Sequence, residues 1–142
     1  LAKALRLTSA AHRAGVPVLA GTDALDPFVL HGESLNDELT LLHQAGLSRA
    51  EVLRAATTAP ADHFGWGRRK GRIAPGLDAD LLLLAGDPLA DLGAARRPVA
   101  VMKGQRLFNA ADLAAMRRFA RAQAADPAVN ARAWWALLRP GP

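Results

Sequence analysis

The stretch Val16-Pro17-Val18-Leu19-Ala20-Gly21-Thr22-Asp23 decides how the rest of the chain is read. It is apolar on both faces and lacks the alternation of a strand with one wet side. It therefore reads as a strand over 16–22 buried on both sides, the kind used in parallel sheets. Pro17 donates no amide hydrogen and fits only near the strand's first residues. Upstream, residues 1–14 are Ala-rich, with Leu1, Leu5 and Ala11 near helical spacing, and Gly15 supplies a helix stop. A helix, a glycine and a buried strand make the αβ step of an α/β fold. At the strand's C-terminal end sits Asp23, where barrels of parallel strands present reactive side chains. The tripeptide Gly21-Thr22-Asp23 also suits an aspartate that merely starts a turn.

Working outward, residues 24–33 contain Pro27 and Gly32 without a period and read as a loop, in which His31 could bind substrate, donate a proton or ligate a metal. Ser34 with Asp37 forms a weak capping box ahead of the stripe Leu35, Leu39, Leu42, Ala45, and Gly46 closes that helix. Ser48 with Glu51 is a better box, opening a helix through Val52, Leu53 and Ala56. Pro60 to Phe64 adds one further turn. Residues 65–76 hold four glycines and a proline, a hinge-like composition. Strands follow at 79–85, 98–102 and 105–108, with a tight turn at Lys103-Gly104, so this part is a small β unit. Two Ala/Arg-rich helices, 111–125 and 128–138, flank Asp126-Pro127.

Composition narrows the functional classes. The 142 residues are 51% hydrophobic and 22% charged, which suits a globular chain and excludes a disordered or collagen-like one. Cysteine is absent, which removes disulfide frameworks, thiolate zinc sites and a cysteine nucleophile. No apolar run approaches the roughly 20 residues of a spanning helix, and no targeting segment opens the chain, so the expected compartment is the cytoplasm. The net charge is +5, most of it contributed from Asn109 onward by Arg117, Arg118, Arg121, Arg132 and Arg139. The body is nearly neutral, and no nucleic-acid partner is expected. The Gly-x-x-x-x-Gly-Lys loop, the Gly-x-Ser-x-Gly elbow and His-Glu-x-x-His are all missing. His12, His43 and His63 lie in helical stretches without metal-ligand spacing, and read as surface or interface residues.

Five ordered motifs resemble the amidohydrolase superfamily, most closely its imidazolonepropionase and Xaa-Pro-dipeptidase-like branch. They are the stretch 14–23; His31-Gly32-Glu33-Ser34-Leu35 with Ala45-Gly46-Leu47-Ser48; Ala55-Ala56-Thr57-Thr58-Ala59-Pro60; Gly71-Arg72-Ile73-Ala74-Pro75-Gly76-Leu77-Asp78-Ala79-Asp80; and Gly86-Asp87-Pro88 with Val101-Met102-Lys103-Gly104. The resemblance covers roughly 14–108. It implies a metal-dependent hydrolase of carbon–nitrogen bonds in small amide-like molecules, built as a (β/α)8 barrel with a small composite β-sandwich. Asp23 matches the last-strand aspartate that binds the metal, zinc in the first instance, and shuttles the proton of the attacking water. His31 matches a loop near the substrate. Asp78 and Asp80 fall at a turn-to-strand junction and receive no chemistry.

The family's His-x-His, its bridging lysine or glutamate and its two later histidines are missing from these residues. A full barrel takes about 250 residues, so the chain reads as the C-terminal portion of such an enzyme, inactive alone. The expected divisions are 1–64 for the end of the barrel, 65–108 for the sandwich segment and 109–142 for a helical extension. Trp134-Trp135 in that extension could dock on the protein itself or on a second copy. The competing reading is a non-catalytic binding module whose basic tail holds an acidic partner.

Overall fold

The computed structural model describes residues 1–23 and 32–127. His31, the segment 128–138 and Trp134-Trp135 lie outside the described residues. The architecture is α/β with a small antiparallel sheet. Leu1–Leu107 forms one compact unit, and the chain from Phe108 onward forms a second.

Four helices build the first part: α1 (Ala2–Arg13), α2 (Ser34–Gln44), α3 (Arg49–Ala55) and α4 (Thr58–His63). The stripe read from α2 does bury itself. Leu39, Leu42 and Ala45 join Leu47, Val52 and Ala55 in the core, while Leu35, at the helix start, stays 41% exposed. Val52 is fully buried. The Ser48 box forms as read: Ser48 Oγ accepts from the Glu51 amide at 3.3 Å, and the Ser48 amide donates to Glu51 Oε2 at 2.8 Å. The Ser34 box does not. Glu33, not Ser34, is the N-cap of α2, with no side-chain cap hydrogen bond there; Ser34 is already inside the helix, and the Asp37 carboxylate pairs with Arg96.

Three strands, β1 (Leu81–Leu83), β2 (Ala100–Lys103) and β3 (Arg106–Asn109), form one sheet in the order β1-β2-β3. β1 runs antiparallel to β2, with Leu82 opposite Val101. Gly104 and Gln105 both have positive φ, 54° and 65°, as a two-residue hairpin turn of the twist-matching kind requires. Between β1 and β2 lies a 3-10 helix, Leu92–Arg96, that the sequence did not announce. Its Leu92 is buried in the same cluster as Leu39 and Leu42. The second unit is represented by α5 (Ala110–Ala125), opened by a box in which Asn109 Oδ1 accepts from the amides of Ala111 and Asp112.

The glycine-rich 65–76 stretch is pinned rather than free. The Trp66 amide donates to the Ala61 carbonyl at 2.6 Å and the Asp78 amide to the Arg69 carbonyl at 2.7 Å. Gly71 has φ +97°, and a Cβ there would run into Ala61 Cβ and the Thr57 carbonyl. Only glycine allows α4 and this turn to approach so closely.

Candidate active site

Among the described residues the decisive stretch 16–22 forms no strand. A strand exists by its ladder, and among the described residues no neighbouring strand offers one to this stretch. Its amides go elsewhere: Val16 donates to the Ala11 carbonyl at 3.0 Å, and Ala20 to the Ala55 carbonyl at 2.9 Å. The first bond is to the C-terminal end of α1 and the second lays Ala20 against the C-terminal end of α3, where Val18 and Ala20 pack on the core. The apolar pattern overstated burial, since Val16 is 52% exposed and no residue of 16–22 is fully buried, and pairing depends on chain that the pattern does not contain.

Asp23 follows directly. Its φ of +49° is in the left-handed region, which aspartate tolerates better than most residues. Its side chain is exposed and has no hydrogen-bond or ion-pair partner among the described residues. No group of three or more His, Cys, Asp or Glu side chains that could hold a metal occurs among the described residues. Catalytic zinc uses about three protein ligands, so one lone carboxylate does not fit such an ion by itself.

The other histidines each have a neighbour among the described residues. His12 Nε2 lies 3.5 Å from Glu51 Oε1, linking α1 to α3. His43 Nδ1 is 2.8 Å from the Leu47 carbonyl oxygen; a carbonyl only accepts, so Nδ1 carries the proton. His63 packs edge-on against Phe64, with ring centroids 5.0 Å apart.

Asp78 and Asp80 are bound up with cations. Asp80 Oδ2 accepts from Lys103 Nζ at 2.6 Å and Lys70 Nζ at 3.4 Å, and Asp80 Oδ1 accepts from the Gly104 amide at 3.3 Å. The Lys103 hydrogen bond, then the Gly104 amide, hold the Asp80 carboxyl down to about 2. Asp78 Oδ2 accepts from Arg69 Nε at 3.1 Å. These carboxylates therefore tie the 65–80 turns to the β2–β3 hairpin. Beside them is a cavity of about 440 Å³ lined by Trp66, Lys70, Ile73, Leu81 and Leu82. The only sequence sign of this cavity is the run Arg68-Arg69-Lys70 set against the alternate acids Asp78 and Asp80.

With this geometry in view, comparison with known proteins assigns the class. The model of the amidohydrolase family matches residues 3–114. The chain belongs to the amidohydrolase family. An uncharacterized protein of Mycobacterium tuberculosis (strain ATCC 25618 / H37Rv) is 38% identical over 105 residues, which is 71% of this chain and 26% of that protein. A solved amidohydrolase structure aligns with a TM-score of 0.63 at 36% identity, covering 74% of this chain and 25% of its own. A Xaa-Pro dipeptidase crystallised with methionine in its active site aligns with a TM-score of 0.68 at 25% identity, again over 74% of this chain and 25% of its own. The chain thus spans about a quarter of the length of these three relatives.

Proposed function

We propose that these residues form the C-terminal part of a (β/α)8-barrel amidohydrolase that hydrolyses a carbon–nitrogen bond in a small amide-like substrate: a non-peptide amide, a cyclic amide or a dipeptide. The observation that carries the reading is Asp23, an exposed carboxylate without a partner among the described residues, at the end of the apolar stretch in a chain of this family. In this reading residues 16–22 take up a barrel ladder when their neighbouring strands are present. Asp23 accepts a proton from the attacking water and returns it to the departing nitrogen. A divalent metal, zinc by the resemblance, has its remaining ligands in residues outside these 142, and when bound it supplies a water of lowered pKa. His31 contacts the substrate, and the helical tail contacts a second copy.

The experiment is Asp23→Asn in the complete polypeptide that carries these residues, assayed on dipeptides, cyclic amides and deaminase substrates. A loss of about 10²–10⁴ in kcat with an unchanged circular dichroism spectrum is expected of a lost proton acceptor. Undiminished turnover overturns the assignment. A second reading, a basic module holding an acidic partner, is favoured by the exposed Arg117 and Arg121, one turn apart on α5. A salt titration against an acidic peptide separates the two, since exposed charge contacts fade as ionic strength rises.

A further inference from the structure

We draw no further inference here: the strongest candidate, the cavity of about 440 Å³ walled by Trp66, Ile73 and Leu82 beside β1, is an apolar hollow whose rim acids Asp78 and Asp80 are already held by Lys70, and nothing among the described residues shows what covers it.

Discussion

Asp80 shows what a carboxylate does in this molecule when it is not reserved for chemistry. Two ammonium groups and a backbone amide converge on it and pull its carboxyl from the ordinary 3.8 to about 2, the Lys103 hydrogen bond leading. Because the folded value is depressed, the stabilisation is in full force above the unfolded value near 3.8 and is lost as pH falls toward about 2. Stability should therefore decline through that acid window, and Asp80→Asn should flatten the decline. Denaturant titrations at a series of acid pH values check this, and an identical slope in the variant counts against it. Lys103→Met should let the carboxyl drift back toward its ordinary range, read by carbon-detected NMR titration. Asp23 is the contrast: a carboxylate with no such company among the described residues. Gly71 makes a second residue-scale case. Gly71→Ala places a methyl against Ala61 and the Thr57 carbonyl at a positive φ, so a loss of about 2 kcal/mol or more in chemical denaturation is expected.

At the scale of elements, stability rests on α2 and α3. Their shared core includes Leu39, Leu42, Leu47 and Val52, while Leu7, Ile73, Leu107 and Phe119 remain largely exposed. Leu42→Ala should cost about 3 kcal/mol, the usual price of a cavity at a buried leucine. Ser48→Ala should cost about 1 kcal/mol, because it removes one half of a reciprocal cap. Equal denaturation midpoints for Ser48→Ala and the parent would deny that the cap holds α3. These elements were legible in the sequence because their determinants are local: a capping pair three residues apart, a stripe at helical period, a glycine to stop. The hairpin was legible for the same reason, through Lys103-Gly104. The 3-10 helix was not, since Leu92–Arg96 owes its place to a distant packing partner on α2. The Ser34 box did not form because Ser34 is the first helical residue and Glu33 takes the N-cap position, a one-residue shift of the boundary. Arg96, like the 440 Å³ cavity, is invisible to any window of neighbouring residues.

On the scale of the whole molecule, the stretch that decided the reading is the instructive case. Residues 16–22 carry the composition of a doubly buried strand, yet a ladder is a property of two segments, and Ala20 bonds to the end of α3 instead. The family could be recognised from ordered motifs even so, because motifs are local while barrels are not. The candidate site divides in the same way: Asp23 was singled out by its position after an apolar run and by the resemblance, but one carboxylate offers a divalent ion too few donors. The 142-residue protein, purified and supplied with zinc, should therefore show no hydrolysis of amide-like substrates above a buffer blank. Calorimetry should find no zinc site tighter than the weak, millimolar-order binding expected of scattered surface carboxylates and histidines. The complete polypeptide should bind zinc and turn over, and should lose turnover in Asp23→Asn. Hydrolysis by the 142 residues alone, abolished by Asp23→Asn and by chelation, would show that these residues hold the ion unaided. In that event the ligands must include His31 or another residue of 24–31, since the described residues hold no other cluster able to bind it.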